Sequence, residues 1–328
     1  MFQGGISLKQ FWKEAGLAVI LGLIMPGFIL HIVTFSSHRY ATKPKPTETP
    51  SSPAQSSVYI PVLCDNGAVR EMELDAYLVG VILAEMPASF EVDALMAQAV
   101  VARTYTLRAH EGKSKHEQAA VCMDSTCCQA YRSPEDYAAE GGSYESIKKV
   151  RSAVQMTEDL VLVYEGELIE ATYFSCSGGS TEDAVAVWGA DIPYLQSTDS
   201  PGEESAAYFT DSITYSPEKL ALLLGADFDG APDTWFAEPS YTTGGGVEEI
   251  IICGKRFEGT KLRKLLNLRS TAFTVTAEAD AVTFHTKGHG HRVGMSQYGA
   301  DAMAAAGSNF EQILYHYYQG TQLVRYSD

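Results

Sequence analysis

Proline has a fixed φ and no backbone N–H, so Pro87 sets a hard limit on the apolar run that precedes it, Tyr77-Leu78-Val79-Gly80-Val81-Ile82-Leu83-Ala84. Residues Leu74 to Ala84 have the 3.6-residue period of an amphipathic helix, with Leu78, Val81 and Ile82 on one face. Glu85 follows these three by seven, four and three positions and points the same way. Pro87 pushes Met86 into extended geometry, which leaves Glu85 on the last helical turn, at an edge of the core. The negative end of the helix dipole and the apolar neighbours both disfavour its ionised form. A carboxyl group kept protonated in this way is a candidate general acid near neutral pH. The plainer alternative is a buried glutamate satisfied by an arginine, with Arg103 as its partner.

The next helix is expected to start with Ser89 as N-cap and Glu91 and Asp93 in its first turn, and to run to about His110. Ala94, Ala97, Ala99 and Ala102 make it slim enough for close approach by other elements, and Arg103 lies on a partly buried face. Further along, Tyr59–Leu63 reads as a strand and Leu160–Ser177 as strand, turn and strand. The polar, Gly-rich stretch Ser175–Pro201 is too long for a tight turn and reads as a functional loop. Asp211–Leu224 and Gly259–Leu266 read as helical, Phe273–Phe284 as strand and Ser296–Gln319 as mostly helical. The mixture predicts an α+β fold of helices and antiparallel strands rather than a doubly wound parallel sheet.

Ahead of this globular part, residues 1–14 are expected to form a short cytoplasmic N-terminus. Ala15–Phe35 follows with no Asp, Glu, Lys or Arg, over about the 20 residues that cross a bilayer as a helix. A cleaved signal peptide is the alternative, but no Ala-x-Ala cleavage signature follows Phe35. Nearby positive charges, Lys9 and Lys13 on one side and Arg39, Lys43 and Lys45 on the other, leave the orientation open. Residues 36–57 are a linker, rich in Pro, Ser and Thr from Ala41 onwards, and 58–328 are the globular domain. The layout is an anchor, a stalk and a domain that works near a membrane surface. A formal net charge of -17 without a Lys/Arg cluster excludes a general nucleic-acid binder.

Two further clusters can carry chemistry. His116, Cys122, Cys127 and Cys128 offer one imidazole and three thiols, the ligand types of a structural zinc site, though their spacing is not that of a common finger. Disulfides are the alternative in an extracytoplasmic compartment. Lys287–Gly320 presents His289, His291 and several glycines ahead of a Ser-Gln helix start. The zinc deaminase, zincin and Gly-x-Ser-x-Gly hydrolase patterns are all absent. The Gly244–Gly246 run has no Gly-Lys-Ser/Thr after it, so it is not a phosphate loop.

Three segments, Tyr77–His110, Tyr173–Pro201 and Gly288–Leu323, resemble in their order the stage II sporulation protein D family. The Glu-Met-Pro element with its downstream Ala-Gln-Ala-Val-x-Ala-Arg-Thr-Tyr is the most specific. The resemblance implies a lytic transglycosylase that cleaves peptide-stripped peptidoglycan strands during forespore engulfment. It implies a single-pass anchor in the mother-cell membrane, with the domain facing the space between the two membranes. Its implied partners are a sporulation cell-wall amidase and a polytopic membrane protein that recruits both. Glu85 falls on the family's catalytic acid. Arg103, at a position associated with the active site, is expected to hold the lactyl carboxylate or an acyl oxygen of the glycan. By analogy Ser175, Ser177, Gln297 and His291 are placed in the glycan groove, and Tyr173 is expected to stack on a sugar. The alternative for Tyr173 and His291 is core packing or a structural hydrogen bond. Zinc-bearing members carry the His/Cys cluster with a His where Cys127 stands, which implies Zn2+ as a clamp for a loop beside the active site. The usual pattern also has an aromatic at His289 and a glycine at Arg292. Relatives of the fold enhance cell-wall amidases, gripping glycan without cutting it, and this is the alternative function.

Overall fold

The computed structural model describes residues 58–225 and 228–327. The expected anchor over 15–35, the segment 1–14 and the linker over 36–57 lie outside the described residues. Among the described residues no helix is long and apolar enough to cross a membrane.

A hairpin of β1 (Tyr59–Leu63) and β2 (Val69–Glu73) runs directly into helix α1 (Leu74–Glu85). The Glu73 carboxylate accepts a hydrogen bond from Ala76 N–H and caps the helix start. Met86, at φ -126° and ψ 143°, ends it in the extended conformation that the following proline requires. Every residue from Tyr77 to Leu83 is buried, so α1 is a core helix covered all round rather than the one-faced amphipathic helix expected.

Helix α2 (Val92–Arg108) is the centre of the fold. After it come β3 (Val121–Cys122), α3 (Pro134–Ala139), α4 (Tyr144–Met156), β4 (Leu160–Tyr164), β5 (Glu167–Leu168), β6 (Tyr173–Phe174) and α5 (Ala184–Trp188). A second block contains β7 (Thr210–Tyr215), α6 (Pro217–Leu224), β8 (Ser240–Tyr241), β9 (Val247–Ile252), β10 (Lys255–Glu258), α7 (Gly259–Leu265), β11 (Phe273–Ala277) and β12 (Val282–Lys287). The chain then returns to the first block with β13 (Met295–Ser296), α8 (Gln297–Ala305), α9 (Phe310–Tyr317) and β14 (Gln322–Arg325).

The four alanines of α2 are fully buried, and α1, α4, β4, α8 and α9 all pack against this helix. Leu78, Ile82, Leu95, Val100, Leu162 and Leu314 belong to this first core. The second block has its own core, in which Leu220, Ile250, Phe257, Leu262, Phe273 and Phe284 meet. The sheets run β2-β1-β3, β14-β4-β5, β13-β6, β11-β12-β7 and β10-β9-β8. Pairing is antiparallel except between β1 and β3 and between β6 and β13. The α+β expectation therefore describes the globular part, with two short parallel contacts added.

Local readings fail where a partner decides the outcome. Ser89 does not cap α2. Phe90 is buried and its N–H closes a turn onto Pro87, so the helix starts later, with Glu91 at the cap position. Glu91 N–H is satisfied instead by Asp301 of α8, and Asp93 in turn accepts from Phe310 N–H at the start of α9. The expected helix over Asp211–Leu224 is half strand: β7 pairs antiparallel with β12, and Ser216-Pro217 restarts the chain as α6.

Arg103 is the largest correction. Its guanidinium is 1% exposed and donates to the carbonyls of Thr157, Leu160 and Val154 and to Asp75 Oδ1, at 2.7, 3.3, 3.2 and 3.1 Å. It braces the carbonyl-rich end of α4 against the start of α1, so it is not placed to hold a glycan. Lysine lacks the planar fork that reaches these acceptors together. Arg103→Lys should therefore lower the unfolding free energy by about 2 kcal/mol or more, seen as a lower urea midpoint at unchanged slope. An unmoved midpoint would contradict the bracing role.

Candidate active site

Glu85, half-buried on the last turn of α1, opens onto a cleft of about 680 Å³. One wall is the His/Cys loop at Ser125–Cys128, another is Glu170–Ser175 leading through β6, and a third is His289–His291. Burial raises the pKa of Glu85 above the ordinary carboxylate value, partly offset by a hydrogen bond from Ala130 N–H and by the side chains of Gln297 and Tyr173. The Ala130 bond is 2.7 Å long. No described arginine or lysine forms an ion pair with Glu85, so the alternative of a glutamate satisfied by Arg103 does not hold.

Gly80 sets the position of that Ala130 donor. Tyr131 lies flat on α1 at Gly80, where a Cβ would come within 2.2 Å of the ring, and stacks on Tyr77 with centroids 5.6 Å apart. Arg132 N–H donates to Gly80 O at 3.0 Å, so the strip containing Ala130 is held to the helix that carries the acid. Gln129, fully buried, donates to Thr106 Oγ1 at 2.9 Å and accepts from the Tyr173 hydroxyl at 3.2 Å. Tyr173 therefore has its hydroxyl fixed beside Glu85 rather than its ring free for a sugar. Burial holds its pKa well above the usual phenol value.

Ser175 and His291 line the cleft. His291 Nδ1 accepts from Val293 N–H at 3.1 Å, and burial pushes the imidazole pKa down to about 4. The ring is neutral at pH 7 and packs against Phe174 and Trp188. Gln297, at the start of α8, is buried behind Glu85, and its Nε2 has no hydrogen-bond partner of normal geometry.

Ser177 does not reach the cleft. Its N–H and hydroxyl both donate to Glu203 Oε2 at 2.8 Å, and the other oxygen of Glu203 accepts from Ser200 and Ser296 at 2.6 Å each. Buried Glu203 thus ties the Gly-rich loop to the start of α8. Arg292 ties down the rest of the loop, donating to the carbonyls of Ser177, Ser180 and Gly244 and pairing with Glu182 at 3.0 Å. Its φ of 67° is the left-handed conformation that accounts for a glycine in the usual pattern. His289 takes the place of the usual aromatic, meeting the Tyr208 ring edge-on at 5.2 Å.

His116, Cys122, Cys127 and Cys128 present four ligand atoms within 4.8 Å of one another. His116 Nε2 lies 3.6 and 3.4 Å from the Cys127 and Cys128 sulfurs, which are 3.9 Å apart. These separations are too long for a disulfide and would suit ligands around one ion, and all six cysteines are free thiols. One imidazole and three sulfurs fit a tetrahedral zinc with no open position. Cys127 and Cys128 stand immediately before Gln129 and Ala130, so an ion held there would stiffen the strip that contacts Glu85 and Tyr173.

Gln129, Glu203, Trp188 and Arg263 were not found by sequence reasoning. Gln129 directly follows the last ligand of the His/Cys cluster and carries no signal of its own, while Glu203 declares itself chiefly through Ser177 and Ser296, far along the chain.

Residues 65–164 match the family model for the stage II sporulation protein. The chain is 35% identical to stage II sporulation protein D of Bacillus subtilis (strain 168), over 96% of each chain. It is 37% identical to stage II sporulation protein D of Bacillus amyloliquefaciens, over 82% of this chain and 79% of that one. To the amidase enhancer of Bacillus subtilis (strain 168) it is 29% identical, over 76% of this chain and 40% of the relative.

Two tests follow from the geometry. A carboxyl whose pKa is raised on folding stabilises the fold most below its unfolded pKa and loses that contribution as pH rises through the folded value. Glu85→Gln should therefore melt above the wild type at neutral pH, and the gap should close as pH falls below the raised pKa; a gap that widens in acid would reverse the assignment. The full chain purified with zinc should retain a single ion by elemental analysis and melt lower after chelation. His116→Ala should abolish both effects, and a chain without bound zinc would return the cluster to plain thiols.

Proposed function

The chain belongs to the stage II sporulation protein D family, and on that premise we propose that it is a peptidoglycan lytic transglycosylase with Glu85 as its single acid and base. The observation that carries this reading is one desolvated carboxyl without a counter-cation, in a cleft large enough for sugar rings. The other carboxylate lining the cleft, Glu170, is paired with Arg108 at 2.8 Å. Hydrolytic glycosidases generally use two carboxylates, one to protonate the leaving oxygen and one to activate water or attack the sugar. An intramolecular reaction needs only one.

In this mechanism protonated Glu85 gives its proton to the oxygen between N-acetylmuramic acid and N-acetylglucosamine as the bond from that oxygen to C1 breaks. The resulting carboxylate takes the proton of the muramic acid C6 hydroxyl while O6 bonds to C1. The product is a 1,6-anhydro ring, no water is consumed, and Glu85 is again protonated. Ala130 N–H orients the carboxyl group and supports its anionic interval, with the Gln297 and Tyr173 side chains close by. Neutral His291 and the Trp188 ring offer a hydrogen-bonding and stacking wall for the sugars. His116, Cys122, Cys127 and Cys128 would hold a zinc ion that clamps the Cys127–Ala130 strip, apart from the proton transfers at Glu85.

On the same reading the chain works in engulfment, anchored by 15–35 in the mother-cell membrane with the domain between the two membranes. Its partners there are a cell-wall amidase and a membrane recruiter. The relative named an amidase enhancer favours a second reading, in which the cleft grips glycan and assists an amidase without cutting.

Digestion of peptide-free glycan strands by the full-length chain separates the two. The wild type should yield products one water lighter than hydrolysis products by mass spectrometry, and Glu85→Ala and Glu85→Gln should lose at least about a hundred-fold in rate. The rate should fall as pH rises through the raised pKa of Glu85, because the protonated form starts the reaction. Strands bound but left uncut by the wild type would select the amidase-assisting role.

A further inference from the structure

Two strong bases line the candidate cleft, and they differ in one respect. The Lys115 ammonium donates to the Cys127 carbonyl and sits 5.8 Å from the centre of the Tyr105 ring. Arg263, on α7, has no such engagement: its guanidinium makes no hydrogen bond or ion pair with any described residue, and its Nε is shut off from solvent. The fully buried arginines Arg103 and Arg292 each pair with a carboxylate and donate to several carbonyls, although the Arg103 Nε is likewise without a partner. An arginine that stays charged in a partly desolvated wall without a partner is costly to the fold. Such a cost is tolerated at a place where an anion arrives with the ligand.

Its surroundings define what kind of anion. The positive charge of Arg263 is felt at His289 and His291, where it adds to burial in lowering their pKa values. Both imidazoles are therefore neutral near pH 7 and leave the guanidinium as the cation on that wall. Trp188, 45% exposed, stands against His291 with ring centres 5.3 Å apart. An aromatic face and an unpaired guanidinium in one cleft match a sugar ring that bears a carboxylate.

Resting on the lytic transglycosylase reading above, we propose that Arg263 receives the lactyl carboxylate of muramic acid, with Trp188 under the sugar ring, and is the specificity-determining residue behind the preference for peptide-stripped strands that the family resemblance implies. In an intact strand that lactyl group is an amide, which is neutral and carries the peptide. Hydrolysis of the amide releases the peptide amine and leaves the carboxylate.

The test uses full-length Glu85→Gln, which holds strands without cutting them, and two forms of one strand preparation: the free lactyl acid and its primary amide. The acid form should bind roughly ten- to a hundred-fold more tightly, as expected for a desolvated, charge-assisted contact. Adding Arg263→Gln should make the two forms equivalent, whereas adding Arg263→Lys should keep a preference for the acid. Thermal melts check that each variant folds. Equal binding of the two forms with Arg263 in place overturns the assignment without any variant, and so does a preference that survives Arg263→Gln. Binding of neither form overturns the glycan reading as well, whereas wild-type cleavage of both forms at equal rates overturns this assignment alone.

Discussion

The 2.7 Å hydrogen bond from Ala130 N–H to Glu85 is the contact on which the cleft depends. It joins two pieces of chain with different constraints. Glu85 is fixed by a helix that must stop before Pro87, and Ala130 is fixed by Tyr131 lying on Gly80 of that same helix. The donor is a neutral amide, so it orients the carboxyl group and stabilises its anion modestly without cancelling the effect of burial. A lysine or arginine in its place would have held Glu85 ionised. The choice of a backbone donor leaves the acid able to cycle between its two forms.

From that contact the rest of the site extends along the chain in both directions. The strip before Ala130 contains Gln129, which fixes the Tyr173 hydroxyl, and Cys127 and Cys128, which complete the ligand cluster. The Gly-rich loop is held from a different side, by Glu203 and Arg292, each a buried charge with most of its hydrogen-bonding capacity used. The loop that looks flexible from its composition is therefore pinned at both ends by polar groups in the interior.

What was legible in the sequence were the features governed by local rules. Pro87 ends a helix whatever surrounds it, and one imidazole with three thiols in a short span retains its ligand chemistry in any fold. The position of Glu85 and the cluster at His116–Cys128 were readable for those reasons. Arg103, Ser177 and the strand β7 were not, because long-range partners decide each of them. Arg103 lies four positions after Ala99 on a helix face that, in the fold, meets the end of α4. Ser177 is claimed by a glutamate 26 residues away. Residues Thr210–Tyr215 become strand because β12 is there to pair with them. Burial of α1 on all sides also hides the single face that its periodicity suggested.

Arg292 carries a consequence of another kind, for how such a chain can change over generations. Glycine at that position would satisfy the left-handed backbone and ask nothing of its surroundings. Arginine there brings a buried charge that requires Glu182 and three carbonyls in fixed places. Neither residue is safe to alter alone, since each loss strands the opposite charge in the interior. A change at one of the two positions therefore calls for a compensating change at the other. Glycine in place of Arg292 would leave Glu182 a buried charge held only by the Thr242 hydroxyl and the Gly246 N–H, so the loop would lose its lock and keep an unbalanced acid.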